Sequence, residues 1–350
     1  MGLTVNGSDV EGDGPRAGSG RTAVAMSTFE LGRWRVRRSG YGAMQLGGPP
    51  YAAGGLADRA SAIGVLRAAV AAGVNHIDTA QYYGPGLVNN LIREALSPYP
   101  DGLAIVSKVA VGRDDAPREP RRLRAGIEDN LRSLAVDQLA AVNLRLPGPG
   151  RADARFDDEL GAMVAARDEG LIAGVGLSNV GLEQLRYAAQ GTDIVCVQNL
   201  FHLADRSHTP VLLECLSRGI AFVPFCPLGW PRGADNPVLT SPVVIQTAAR
   251  LGCTPAQVAL QWLLRLAPNV LLIPGTGSVA HLRENLAAEG VTLMTRRCAS
   301  WTRSRRGQTN RLERCEGNSR QNGHKTPSGH DSGSLGTLDG ALRNRRLGLG

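Results

Sequence analysis

Three polar side chains fall at the ends of consecutive apolar runs and could work together on a proton. One run ends Asn75-His76-Ile77-Asp78-Thr79-Ala80-Gln81-Tyr82-Tyr83-Gly84, and the next ends Ile105-Val106-Ser107-Lys108. They supply an acid, a phenol and an amine. Residues 1–293 contain 26 arginines and a single lysine, Lys108, so the composition strongly favours guanidinium over ammonium. An amine kept against that bias suits a place where a compact charge on a flexible stem fits beside a phenol and an acid. Taken singly, Asp78 reads as a helix cap or ion-pair partner and Tyr83 as a wall of the core. Taken with Lys108 they read as an acid–base unit. Asp78 anchors the ammonium, and the ammonium stabilises a phenolate, drawing a phenol down from its usual pKa of about 10 so that Tyr83 can give or take a proton. The chain carries no metal-ligand cluster and no nucleophile elbow, so hydrolytic schemes lack their parts.

Such a unit needs elements that bring separate strand ends to one mouth. From Phe29 onward, short apolar runs alternate with segments of helical apolar spacing, which predicts parallel strands joined by crossover helices. Strands are expected at 41–46, 74–78, 103–108, 139–146, 173–177, 194–198, 221–224 and 270–274. Helices are expected at 58–72, 86–96, 121–134, 156–169, 181–189, 210–218, 254–266 and 279–288. Eight such units within 265 residues fit an α/β architecture, the closed (β/α)8 TIM barrel, with a doubly wound open sheet as the alternative. In a barrel, catalytic groups sit at the carboxyl ends of the strands, where Asp78, Tyr83 and Lys108 fall.

Over roughly Phe29 to Leu293 the sequence resembles the aldo-keto reductases. The resemblance lies in 73–80 through Tyr83-Gly84, Ser107-Lys108, Gly174-Val175-Gly176-Leu177-Ser178-Asn179, Val197-Gln198-Asn199, Pro227-Leu228-Gly229, and Ile273-Pro274-Gly275-Thr276 with Arg283-Glu284-Asn285. These pieces follow the family order, one per strand end. The resemblance implies NADPH-dependent reduction of aldehydes or ketones to alcohols, with Tyr83 as general acid tuned by Lys108 and Asp78. Where the family usually has a histidine at the end of the fourth strand, Val142-Asn143-Leu144-Arg145 places an arginine. Arg145 is always charged, so it is expected to orient the carbonyl and stabilise negative charge on its oxygen, not to shuttle a proton.

Gly275-Thr276-Gly277-Ser278 lies between the last expected strand and helix, where a barrel offers free backbone N–H groups and a helix dipole to an anion. No acidic residue on a second βαβ strand accompanies it, so the Rossmann reading is poor. The resemblance further implies Ser178, Asn179 and Gln198 at the nicotinamide carboxamide, and Phe225 stacked on its ring ahead of Pro227 and Leu228. Arg283 and Asn285 are implied near the final helix. Many family members hold the 2'-phosphate with basic residues at places that correspond here to Gly275 and His281, and Arg283 is the nearest cation. NADPH is the expected cofactor, with NADH as the alternative. Met44, Tyr51, Tyr82, Leu146 and Trp230 follow strand ends and are expected to shape a pocket for an apolar or aromatic carbonyl compound. A second reading keeps the barrel and nucleotide site in a catalytically slow NADP(H)-binding sensor or regulatory subunit.

With 350 residues, 43% of them apolar, the chain can bury a large core, which excludes small stapled and collagen-like classes. Its formal charge of +8 belongs to one end: residues 294–350 hold twelve basic and four acidic side chains, and the preceding 293 residues hold 27 of each. The neutral body carries no field for a nucleic acid or a membrane, and the basic end adds at most nonspecific, salt-sensitive affinity. Residues 1–28 are expected to be a disordered arm, 29–293 the barrel, and 294–350 a disordered Arg-rich tail lacking Val, Ile, Phe and Tyr. Its abrupt onset after Leu293 suggests a shifted reading frame or a foreign extension. No apolar run approaches the ~18 to 20 residues of a membrane span. No leader opens the chain, and the six cysteines show no C-x-x-C pair, so reduced thiols and a cytoplasmic location are expected.

Overall fold

Short runs rich in Ala, Val, Ile and Leu, buried on both faces, form the parallel strands. The computed structural model describes residues 27–48, 58–84, 86–110, 120–230 and 233–293. Residues 1–26, Tyr51 and the 294–350 tail lie outside them. The first elements are an antiparallel hairpin, β1 (Thr28–Leu31) and β2 (Trp34–Arg37), turned at Gly32 with φ +57°. Seven parallel strands then pair in chain order: β3 (Tyr41–Gly42), β4 (His76–Asp78), β5 (Ala104–Ala110), β6 (Ala141–Arg145), β7 (Val175–Ser178), β8 (Ile194–Leu200) and β9 (Ala221–Phe225).

The expected eighth strand, 270–274, is not a regular strand, yet it closes the sheet. On one side Leu271 N–H donates to Phe222 O at 2.9 Å and Phe222 N–H to Asn269 O at 2.8 Å. On the other, Leu272 N–H donates to Arg38 O at 2.7 Å and Gly40 N–H to Leu272 O at 2.8 Å. Pro274 has no N–H with which to extend either ladder. At the seam the main chains nearly touch: a Cβ on Gly42 would stand 2.4 Å from Ile273 O, and one on Gly275 would stand 2.5 Å from Gly42 O. Only glycine fits either place. The expected first strand is shorter than 41–46, because after Gly42 the chain winds into a 3-10 turn at Met44–Gly47. The result is a (β/α)8 barrel.

The connecting helices are α1 (Arg59–Ala71), α2 (Leu87–Leu96), α3 (Pro120–Leu134), α4 (Ala154–Asp168), α5 (Leu182–Gly191), α6 (Thr209–Arg218), α7 (Pro242–Leu251), α8 (Pro255–Leu264) and α9 (Val279–Leu286). The side chains of Asp58, Asp153, Thr254 and Ser278 accept first-turn N–H groups at the starts of α1, α4, α8 and α9. The hairpin and α7 were not foreseen from the sequence. Leu31 and Val36 of the hairpin pack with Ala104, Ala141 and Ala221, the first residues of β5, β6 and β9, so the hairpin plugs the amino end of the barrel. Asn75 staples it there, accepting from Arg37 N–H at 2.8 Å and donating to Arg35 O at 2.9 Å. The carboxyl end is left open for chemistry.

Candidate active site

Six of the parallel strands each contribute a residue at or near their carboxyl ends. Asp78 closes β4, Lys108 lies near the end of β5, Arg145 closes β6, Ser178 closes β7, Gln198 lies in β8, and Phe225 closes β9. Tyr83 sits in the turn after β4, with its N–H donating to Ala80 O at 3.1 Å and Gly84 following at φ +49°. The Lys108 ammonium donates to Asp78 Oδ1 at 2.5 Å and to Thr79 O at 2.8 Å, with both members of the ion pair buried. Gln198 Nε2 holds the other carboxylate oxygen, Oδ2, at 2.8 Å. Lys108 Nζ lies 5.0 Å from the centre of the Tyr83 ring, where its charge favours negative charge developing on the phenol. The three residues singled out for acid–base chemistry therefore meet.

A cavity of about 670 Å³ opens over them. Of the expected site residues, Asp78, Tyr83, Lys108, Arg145, Gln198, Phe225, Pro227, Leu228 and Gly275 line it, together with Met44, Tyr82 and Trp230 from the expected substrate pocket. Burial pushes the Tyr82 phenol well above its usual range, with Tyr83 adding to this and the Lys108 and Arg145 cations opposing it. Tyr82 is thus a neutral wall, packed edge-on to Tyr83 at 5.3 Å between ring centres. Arg145 Nη1 donates to Ser178 Oγ at 3.0 Å, and its Cζ lies 5.0 Å from the centre of the Phe225 ring.

Other expected residues stand beside the cavity without lining it. Leu146 is buried next to β6. Asn179, in the left-handed region at φ +63°, donates through Nδ2 to Leu146 O and Pro147 O. The Thr276 carbonyl accepts from Tyr41 OH at 2.6 Å, its Oγ1 accepts from Ser278 N–H, and Ser278 caps α9, which carries an exposed Arg283 and a buried Asn285. Gly277 lies in the same loop. Residues not singled out beforehand also line the cavity, among them Gln45, Leu200, Cys226, Asn236 and Leu239. Asn236 is legible in hindsight as a turn residue: its Oδ1 accepts from Val238 and Leu239 N–H, and its Nδ2 donates to Leu228 O.

Comparison with known proteins accords with this geometry. The profile of the aldo/keto reductase family matches residues 39–305, which is most of the chain. The chain belongs to the aldo/keto reductase family. The match runs past Leu293 into the segment that the sequence reads as foreign. Pyridoxine 4-dehydrogenase from Escherichia coli K12 is 47% identical over 278 residues, covering 77% of this chain and 95% of that protein. An uncharacterized oxidoreductase from Schizosaccharomyces pombe is 36% identical over 291 residues, covering 79% and 89%. The solved structure of an aldo/keto reductase from Klebsiella pneumoniae in complex with NADP and acetate superposes with a TM-score of 0.67 at 27% identity, covering 80% of this chain and 95% of that one. No helix among the described residues is long and apolar enough to cross a membrane.

In this aldo/keto reductase, a second layer of buried polar side chains holds the ion pair in place. Thr79 Oγ1 donates to Asn89 Oδ1 at 2.8 Å, and Asn89 Nδ2 donates to Asn130 Oδ1 at 3.0 Å. Ser107, the neighbour of Lys108, donates to the same Asn130 oxygen at 2.6 Å. Asn130 Nδ2 returns to Gly126 O on α3 at 2.7 Å. The ends of β4 and β5 are in this way tied to α2 and α3 with little freedom to separate.

Proposed function

We propose that this oxidoreductase interconverts an aromatic alcohol of the pyridoxine type and the corresponding aldehyde with NADP(H), Tyr83 giving the proton in the direction of reduction. The observation that carries the reading is the buried Asp78–Lys108 pair beneath Tyr83, in one cavity that runs from these residues to Gly275 and His281 at the start of α9. The 47% identity to a pyridoxine 4-dehydrogenase supports the substrate class, and the aromatic walls Tyr82, Phe225 and Trp230 suit a flat ring.

The residues present also fit the cofactor. Gln198, which lines the cavity, gives one amide N–H to Asp78, and Asn179 beside it gives both of its own to main-chain carbonyls, so the oxygens of both can serve as acceptors for an amide NH2. Ser178 Oγ accepts from Arg145 and keeps its own O–H to give to a carbonyl. That set of two acceptors and one donor complements a nicotinamide carboxamide. Backbone N–H groups at the start of α9 would hold the pyrophosphate, and the exposed Arg283 would meet a 2'-phosphate. Held there, NADPH would supply the hydride.

For their part, Arg145 draws the carbonyl oxygen toward its N–H groups and stabilises the charge that builds there. Tyr83 transfers its hydroxyl proton to that oxygen, and Lys108, fixed by Asp78 and Thr79 O, stabilises the phenolate left behind. The test follows NADPH oxidation with pyridoxal and NADP reduction with pyridoxine. Tyr83→Phe is expected to slow the chemical step by about 10²- to 10⁴-fold while leaving the Kd for NADPH within a few-fold. Undiminished turnover in that variant would refute the assignment. Cofactor binding without turnover in the wild-type chain would return it to the sensor reading.

A further inference from the structure

Charge in the cavity is unbalanced. Asp78 is taken up by Lys108 and Gln198, whereas Arg145 keeps neutral company, the Ser178 hydroxyl and the face of Phe225. Among the described residues no carboxylate lies within ion-pairing distance of Arg145. A half-buried guanidinium offers five N–H donors, of which one is engaged by a described side chain, and its charge is permanent. A neutral imidazole at this place would offer one donor and no charge. Tyr82, Phe225 and Trp230 are aromatic walls of the same cavity, and the Asp78 carboxylate that shares it is already held by Lys108 and Gln198.

We infer that Arg145 selects aromatic carbonyl substrates that carry an ionised oxygen on the ring carbon adjacent to the one bearing the carbonyl, the two oxygens sharing the guanidinium fork. The inference rests on the reductase reading above and narrows its substrate. A planar fork matches two neighbouring oxygens in one plane, and a charge-assisted hydrogen bond to a half-buried guanidinium is stronger than a neutral one. The ring hydroxyl next to the reacting carbon of a pyridoxine-type substrate is such an oxygen.

The experiment compares kcat/KM for 2-hydroxybenzaldehyde and 4-hydroxybenzaldehyde with NADPH across the pH range in which the probes ionise. The two share a substituent, but only the first can place its oxygen on the fork. The wild-type enzyme is expected to favour the 2-hydroxy isomer by about tenfold or more, with the ratio rising as that hydroxyl ionises. In Arg145→Met both activities fall and the ratio drops to near one, and Arg145→Lys recovers the ratio only in part. A wild-type ratio near one, or one that ignores ionisation of the probe, overturns the inference while leaving the reductase reading intact; neither result depends on a variant that folds. A ratio unchanged in Arg145→Met also overturns it. No NADPH oxidation with either probe or with pyridoxal removes the reductase reading and this inference with it.

Discussion

His76 opens β4, two residues before Asp78, and is 2% exposed. Its ring fills the space left by Gly40, where a Cβ would stand 2.2 Å from two ring atoms. Neither ring nitrogen has a hydrogen-bond partner. Burial lowers its pKa from 6.5 to about 4, and the Arg37 main chain opposes this to a smaller extent. The folded state therefore prefers the neutral ring, and between pH 6.5 and 4 the unfolded chain binds the extra proton. Stability from this group is complete above about pH 6.5 and drains away as pH falls toward 4. A shift of 2.5 units is worth about 3 kcal/mol in full, of which about 2 kcal/mol is gone by pH 5. The assay is chemical unfolding of wild type and His76→Gln from pH 7.5 to 4.5. Glutamine does not titrate, and every other titrating group is common to both chains. The wild type should lose about 2 kcal/mol more than the variant between pH 7.5 and 5, whatever constant offset the substitution introduces. Parallel curves would refute the argument, as would an NMR titration of the His76 ring with a midpoint near 6.5.

The buried ion pair and the polar layer behind it give two further expectations. Lys108→Met strands the Asp78 carboxylate with Gln198 as its remaining side-chain partner and should cost about 3 to 5 kcal/mol in urea unfolding. Adding Asp78→Asn should restore much of that stability but none of the activity; a single variant as stable as wild type would contradict the pairing. Asn130→Ala removes the shared acceptor of Ser107 and Asn89 and should destabilise the barrel by about 2 to 4 kcal/mol, whereas a loss below about 0.5 kcal/mol would mean that these groups find other partners.

The cluster of Asp78, Tyr83 and Lys108 was legible because residue type is informative at a strand end: one lysine against an arginine-rich background marks a constraint that burial alone does not impose. Arg145 was legible only through the family resemblance, because it stands where the family usually has a histidine. The hairpin was not, because four-residue strands alternating Phe29 and Leu31, then Trp34 and Val36, give too short a periodic signal, even with Gly32 at the turn. Helix α7 was hidden by the β-branched stretch Val243-Val244-Ile245, although Pro242 at its start and Gly252 at its end, φ +63°, mark its limits. The apolar run at 270–274 looked like a strand, but Pro274 and the glycine seam leave it only bridges to its neighbours. Asn89 and Asn130 carry no signal at all. An asparagine on an amphipathic helix reads as surface, and only the packing of α2 and α3 over β4 and β5 buries both.

The stopper formed by β1 and β2 divides labour within the barrel. Asn75 locks it to the strand that ends, three residues later, in the carboxylate anchoring Lys108, so the base of the barrel is a foundation laid under the buried ion pair. Grafting new rim segments to change what is reduced leaves that foundation untouched. Loosening the stopper would act on the Asp78–Lys108 pair from below, through Asn75, without altering a residue that lines the cavity.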